Sequence, residues 1–174
     1  DVHQDFGLNP PTSMVPPRNR GPSCLDQISK HGINVIRTSE EFPPNSRLKE
    51  YIWNLTRTSP IEYPIQQDGV IQTYASGAAT LSAGHIKSGQ KLPHQTYQII
   101  PLQIRQRLQR RTITKSIANC ISQDSAVHLW THLHDIANPH QWKIVEDGLE
   151  NFACGRDSNL IDILSMKGLV ENLS

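Results

Sequence analysis

Helical spacing dominates the distribution of apolar residues along this chain. Its clearest instance is a run of apolar residues three or four positions apart: Trp142, Val145, Leu149 and Phe152. This spacing places side chains on one face of a helix. The preceding Asn138-Pro139 pair is typical of a helix start, because Asn caps the first turn and Pro occupies a position that needs no N–H. We therefore predict a helix from this pair to Gly155.

The stretch 99–122 is also predicted to be helical. Pro101 suits the first turn, and no later Gly or Pro interrupts the stretch. In one straight helix, Ile104 and Leu108 lie off the apolar stripe. The stripe is formed by Leu102, Ile113, Ile117, Cys120 and Ile121. The β-branched residues around Thr112 lower helix propensity. We therefore expect a bend or break near Thr112.

The stretch 69–84 allows two interpretations. As a helix capped by Asp68, it places Val70, Ile71 and Tyr74 on one face and ends at Gly84. As a strand, it alternates Val-Gln-Tyr against Ile-Thr-Ala, but the run of small residues that follows is too long for a strand. We predict the helix.

Shorter patterns complete the chain. Further helices are predicted at residues 24–31 (capped by Ser23), 45–57, 126–137 (capped by Asp124 or Ser125), 159–167 (capped by Ser158) and 169–173. Residues 33–38 are a candidate strand. Residues 1–22 contain five prolines and are predicted to be an arm or linker. The predicted fold is all-α, a bundle of six to eight short helices with an extended Pro-rich N-terminal arm, in which residues 23–174 form a single helical domain.

Composition limits the partners and the compartment. The net charge is +1, so affinity for an anionic partner has to come from local clustering of charge. The three cysteines, Cys24, Cys120 and Cys154, are widely spaced, which favours a reducing, cytoplasmic location. No apolar run reaches the ~18 residues of a membrane span. The polar, Pro-rich residues 1–22 do not have the pattern expected of a signal peptide. Because the chain begins at Asp1, we expect a processed product or a piece of a longer protein.

The densest positive charge lies within the stretch 99–122. The candidate nucleic-acid-binding residues are Arg105, Arg107, Arg110, Arg111 and Lys115, extended by Lys87 and Lys91 in the preceding connection. Arginines at helical spacing can follow a phosphate backbone, so the predicted partner is RNA or an acidic protein surface. The alternative is a solvated helix face, although the helix contains no acid to pair with. Tyr97 is the only aromatic residue between positions 75 and 129, so a base-stacking surface is not predicted there.

A histidine cluster raises the question of a metal. His128 and His132 are four residues apart, as zinc ligands on a helix are, and His134 follows them. A metallohydrolase helix places Glu directly after its first His, and here that residue is Leu129. The alternative is that these side chains border the apolar face around Trp130. We predict no metal and no other cofactor, and a zinc-dependent hydrolase is the third of three functional hypotheses.

Three motifs resemble a known family. CLDQI at 24–28, followed by TSEEFPPNSRLKEYIW at 38–53, resembles the segment that closes the mRNA-capping domain in the large (L) polymerase proteins of rhabdovirus-like, non-segmented negative-strand RNA viruses. GVIQTYASGAATLSAG at 69–84 resembles the small-residue-rich helix that follows. IIPLQIRQRLQRR at 99–111 resembles the start of the connector region. The resemblance covers residues 24–122.

The resemblance implies a helical, non-catalytic module of a viral RNA-synthesis machine. Such a module tethers the capping domain to the methyltransferase domain and makes interdomain and RNA-backbone contacts. The family's catalytic His-Arg pair lies upstream, so no catalytic residue is carried over. Of the family's zinc ligands, Cys24 alone has a matching position. The second hypothesis is a structural or interaction subunit of a capsid, nucleocapsid or large ribonucleoprotein assembly, whose arm lies on neighbouring subunits.

Overall fold

The computed structural model describes residues 5–17, 20–38, 47–56, 64–74, 81–87 and 93–173. These residues fall into two compact units. The first unit draws on residues 1–40, 63–75 and 164–174, and the second on residues 41–62 and 76–163. The first unit is therefore assembled from three separate stretches of the chain.

Strands and helices both occur. The strands are β1 (Ser13–Met14), β2 (Val35–Thr38), β3 (Ile65–Gln67) and β4 (Val70–Tyr74). The helices are α1 (Leu25–Lys30), α2 (Arg47–Thr56), α3 (Gln95–Gln98), α4 (Leu102–Ser122), α5 (Leu133–Ile136), α6 (Pro139–Asp157) and α7 (Met166–Leu173). The predicted all-α class is wrong, because the first unit is built on a sheet.

That sheet is mixed, with strand order β1-β2-β4-β3. β1 and β4 both run parallel to β2, with Val35 opposite Ser13 on one side and Ile71 on the other. β3 pairs antiparallel with β4. Ile36 and Val70 are fully buried and pack with Leu25 of α1 to form the core of this unit. The β-branched side chains suit this position because they pack well on a pleated surface.

The predicted helix at 69–84 is wrong over its described part. Asp68 and Gly69 have φ angles of 51° and 77°, and positive angles at both positions are typical of the two-residue turn that closes a hairpin. β3 and β4 flank this turn. β4 is buried on both faces, and consecutive buried apolar residues cannot be assigned to helix or strand by spacing alone. Residues 75–80 lie outside the described residues, and 81–87 contain no helix.

In the second unit, α4 packs against α6. Ile113, Ile117 and Ile144 form its core with two residues of the segment 81–87. Gly148 lies at the helix contact, where a Cβ atom built on it would be 3.5 Å from the side chain of Ile113. This distance leaves room for a methyl group but not for a larger side chain between the two helices.

Several predicted boundaries are confirmed. α6 begins where the Asn-Pro pair predicts, and the Asn138 side chain accepts a hydrogen bond of 3.0 Å from the backbone N–H of His140. α1, β2 and α2 lie within predicted segments. Cys24 rather than Ser23 is the N-cap of α1, and it makes no side-chain capping bond. The predicted caps of α2, at residues 45–46, lie outside the described residues.

Other boundaries differ from the prediction. α4 is unbroken through Thr112, so the expected break is absent. The segment 123–132 is not helical, and only α5 remains of the helix predicted at 126–137. α6 continues past Gly155, and α7 begins at Met166 rather than after Gly168. The predicted arm contributes β1 to the sheet. The predicted boundary between the arm, residues 1–22, and a domain of residues 23–174 stays a prediction.

Candidate nucleic-acid interface

Helix α4 has a mixed buried face. The residues that point inward are Arg105, Gln109, Thr112, Ile113, Ser116 and Ile117. Arg107, Arg111 and Lys115 are exposed on the opposite side. They are four residues apart, so each step moves about 40° around the helix and about 6 Å along it. These three residues form one continuous strip of positive charge, which we call the basic stripe.

The basic stripe has no acidic partner among the described ion pairs. No Asp or Glu occurs anywhere within α4, so no neighbour on the same helix neutralises it. An uncompensated row of cations on a helix surface attracts anions, and the attraction weakens as salt is added. The stripe is therefore a surface suited to an anionic partner.

Arg105 has a different position from the stripe. It is buried, and its Nε donates to the carbonyl of Ile100 at 2.9 Å while a terminal nitrogen donates to the carbonyl of His85 at 2.5 Å. Burial lowers the pKa of its guanidinium. Because these hydrogen bonds hold the guanidinium inside the second unit, Arg105 acts in folding rather than on the surface.

Arg110 is half-buried and pairs with Asp147 of α6. Lys143 lies 3.0 Å from the same carboxylate. Burial opposes ionisation of Asp147, but the hydrogen bonds and charges of Lys143 and Arg110 outweigh it, and the net effect is a lowered pKa of the carboxyl group. Arg110 thus joins α4 to α6, and its charge is already compensated.

The predicted extension of the basic surface is only partly described. Lys87 is half-buried at the end of the segment 81–87, and Lys91 lies outside the described residues. The segment itself is firmly held. The Gln141 side chain donates to the carbonyls of Ala83 and Ile86 at 2.8 and 3.2 Å, and Ser82 donates to Asp135 at 3.3 Å.

The histidines do not form the predicted helical arrangement. His128 lies in an irregular segment, and His132 is the extended residue before α5, so the four-residue spacing does not place them on one helix face. No group of three potential metal-ligating side chains occurs among the described residues. Instead, the rings of Trp130, His132 and His134 lie against one another in series. Sequence reasoning missed this series, although the two-residue spacing of the three rings is visible in the sequence.

Cys120 is not placed for nucleophilic chemistry. Its thiol donates to the carbonyl of Ser125 at 2.6 Å. Burial is the largest influence on this group and raises its pKa, which disfavours the reactive thiolate.

Comparison with protein-family models, curated proteins and solved structures found no match to this chain. None of the described helices combines the length and apolar character needed to cross a membrane. The resemblance to L polymerase proteins therefore rests on the three sequence motifs. One of them, at 69–84, contains β4 in place of the helix that the family implies.

Proposed function

We propose that this chain is a non-catalytic module that contacts the phosphate backbone of RNA through the basic stripe on α4. The observation that carries the proposal is the contrast within one helix. Arg105 and Arg110 are held by hydrogen bonds or an ion pair, whereas Arg107, Arg111 and Lys115 are exposed together on the opposite face. Among the described residues, the three exposed cations make no ion pair that would assign them to the fold.

The dimensions of the stripe fit a backbone contact. Its ends are about 12 Å apart along the helix axis, enough to face several successive phosphates of an extended strand. Each phosphate that is neutralised releases counterions and adds affinity without regard to base sequence. RNA is proposed rather than an acidic protein because the resemblance is to RNA-synthesis proteins, in which this stretch is the basic start of the connector region.

Fluorescence anisotropy tests the proposal. A labelled single-stranded RNA would be titrated with the protein at salt concentrations between about 50 and 200 mM, a range over which phosphate contacts weaken measurably. The test variant carries Arg107→Gln, Arg111→Gln and Lys115→Gln. The control carries the same charge loss at three exposed cations that have acidic neighbours: Lys30→Gln, Arg156→Gln and Lys167→Gln.

The expected result is a steep loss of affinity with salt in the wild type and the control. In the stripe variant, the slope of log K against log salt should fall by about 2, since each single-strand phosphate contact contributes about 0.7. A flat salt response in the wild type, or equal slopes in the two variants, would overturn the proposal. Equal binding of polyglutamate and RNA would instead assign the stripe to an acidic protein surface.

A second candidate function is protein–protein contact, favoured by the outward face of α6. Trp142 and Leu149 lie seven residues apart and are 45% and 47% exposed. Apolar side chains on a common helix face are typical of contact surfaces. Sedimentation velocity over a range of concentrations tests whether the partner is a second copy. Self-association that is lost in Trp142→Ser would support this function, and a concentration-independent coefficient would exclude a second copy as the partner.

A further inference from the structure

The rings of Trp130, His132 and His134 form a series that we call the ring ladder. The centroids of Trp130 and His132 are 5.0 Å apart with an interplanar angle of 76°, an edge-to-face contact. Those of His132 and His134 are also 5.0 Å apart, but the planes differ by only 14°, so these rings are stacked. The backbone at His132 is extended. Extended backbone directs alternate side chains to the same side, which brings Trp130 and His132 together, and His134 follows in the first turn of α5.

The ladder is anchored at one end and open at the other. Trp130 is half-buried, and its carbonyl accepts a hydrogen bond of 2.9 Å from the backbone N–H of Leu81. The side chain of His134 is 73% exposed. Since His132 covers only one face of the His134 ring, the other face is open to solvent.

The orientation of the His134 ring is fixed at its edge. Its Nε2 atom lies 3.3 Å from one carboxylate oxygen of Asp135. The other carboxylate oxygen accepts a hydrogen bond of 3.3 Å from Ser82. Ser82 belongs to the segment that Gln141 holds in the interior of the second unit. The exposed ring is therefore held in place before any ligand arrives, which lowers the entropic cost of binding.

We propose that the open face of His134 stacks on a base of single-stranded RNA. A fixed aromatic surface with one free face suits a nucleobase, because every base has a planar π surface and stacking tolerates any sequence. The nearby carboxylate of Asp135 disfavours a phosphate at this position, so the ladder binds the base and not the backbone. This inference rests on the proposed function for RNA as the partner, but not on the basic stripe as the backbone contact, and it assigns single-stranded RNA as the form that is bound.

The experiment compares two ligands and three variants. The ligands are a labelled single-stranded RNA and a strand of the same length and phosphate number that lacks bases. The variants are His134→Ala, which removes the ring, His134→Phe, which keeps a planar ring, and His140→Ala, an exposed histidine of α6 that serves as the matched control. Circular dichroism of each variant checks that the fold is retained.

We expect His134→Ala to weaken RNA binding roughly fivefold or more, the effect of losing one stacked base. His140→Ala should bind like the wild type, and His134→Phe, which keeps the ring but loses the contact of Nε2 with Asp135, should bind more tightly than His134→Ala. The salt slope should be the same in all four proteins, because no phosphate contact has been changed. The strand without bases should bind the wild type and His134→Ala equally.

The two proposals fail in different ways. If His134→Ala binds RNA like the wild type and the salt response stays steep, the ladder proposal is overturned and the stripe proposal stands. If the salt response is flat but His134→Ala still weakens binding, the stripe proposal is overturned and the ladder proposal stands. Absence of RNA binding by the wild type overturns both.

Discussion

Gln141 and Ala83 pair with each other in both directions. The side-chain amide of Gln141 donates to the carbonyl of Ala83 at 2.8 Å, and its amide oxygen accepts from the backbone N–H of Ala83 at 3.0 Å. Gln141 is fully buried. The side chain of Gln141 thus forms with Ala83 the pair of hydrogen bonds that a neighbouring strand would form. It also accounts for the carbonyl of Ile86.

Replacement of Gln141 by Leu tests this role. The variant leaves the N–H and carbonyl of Ala83, and the carbonyl of Ile86, without the partner that Gln141 provides. The carbonyl of Ala83 keeps its bond from the N–H of Ile86, so two groups lose their partner. At about 1–3 kcal/mol for each unsatisfied buried group, we expect the free energy of unfolding to fall by about 2–6 kcal/mol. Urea denaturation followed by circular dichroism measures the change. The control is Gln103→Leu on the exposed side of α4, for which a change within about 0.5 kcal/mol is expected. Equal effects of the two substitutions would contradict the assigned role.

Gly148 offers a test of the contact between α4 and α6. A Cβ at this position meets Ile113 at 3.5 Å, an ordinary van der Waals distance. Gly148→Ala should therefore raise stability by up to about 1 kcal/mol through helix propensity. Gly148→Leu should lower it by about 1–3 kcal/mol through overpacking.

Gly155 is the matched comparison for Gly148, because it lies in the same helix. A Cβ there would lie 3.0 Å from the side chain of Ile161, so Gly155→Ala requires Ile161 to move and should gain less than Gly148→Ala. Thermal unfolding monitored by circular dichroism would compare the two. A larger gain at Gly155 would show that helix packing is not as described.

The turn between β3 and β4 can be tested through its effect on the stability of the first unit. Gly69 has a φ of 77°, and a Cβ built on it would lie 2.8 Å from the hydroxyl of Ser29. Gly69→Ala should lower the free energy of unfolding by about 1–2 kcal/mol, since an L-residue is strained in this conformation. Asp68→Asn is the control, because Asn adopts positive φ readily. Equal stability of the Ala variant and the wild type, measured by urea denaturation, would argue against the β3–β4 turn.

The ion pairs of Asp147 predict a pH dependence. A carboxyl group with a lowered pKa in the folded protein stabilises it above the unfolded pKa of about 3.9. This stabilisation is lost as the pH falls through the folded pKa, below that value. At neutral pH, Asp147→Asn should cost up to about 1 kcal/mol, because Arg110 and Lys143 are partly exposed and screened by solvent. The difference between variant and wild type should shrink below about pH 4. A difference that grows on acidification would contradict this assignment.

Substitution of Arg105 tests whether this residue acts in folding or in RNA contact. Arg105→Lys loses the paired geometry that reaches Ile100 and His85, and should lower the free energy of unfolding by about 1–3 kcal/mol. It should leave the salt slope of RNA binding unchanged, because the guanidinium is not on the exposed face. A reduced slope with unchanged stability would instead place Arg105 in the interface.

The sequence predicts some elements well and others poorly, for identifiable reasons. The start of α6 at Asn138 was predictable because capping is local chemistry. The hairpin was missed because Asp68 was interpreted as a helix cap. The Asp-Gly pair is itself a strong turn signal, and Ile65 and Val70 on either side are compatible with strands. The burial of Val70 depends on β2, a partner more than thirty residues away, which spacing within the stretch cannot reveal.

The candidate interface was also predictable only in part. The charge density of the stretch 99–122 was visible in the sequence, and so was the absence of acids. Which cations are exposed was not, because Arg105 faces inward to bond with His85, and Arg110 meets Asp147 of another helix. Apolar spacing alone predicted an apolar inner face, whereas the face that is buried includes Gln109 and Ser116.

The discontinuous composition of the first unit affects how the protein is made. β2 and β4 belong to its early and middle stretches, whereas α7, which packs against β2, is the last of the described elements to be synthesised. The β-branched strand β2 therefore stays incompletely covered while residues 76–163 of the second unit are translated. Such segments are prone to pair with other chains. We therefore expect chains that lack α7 to aggregate more readily than chains in which the first unit is complete.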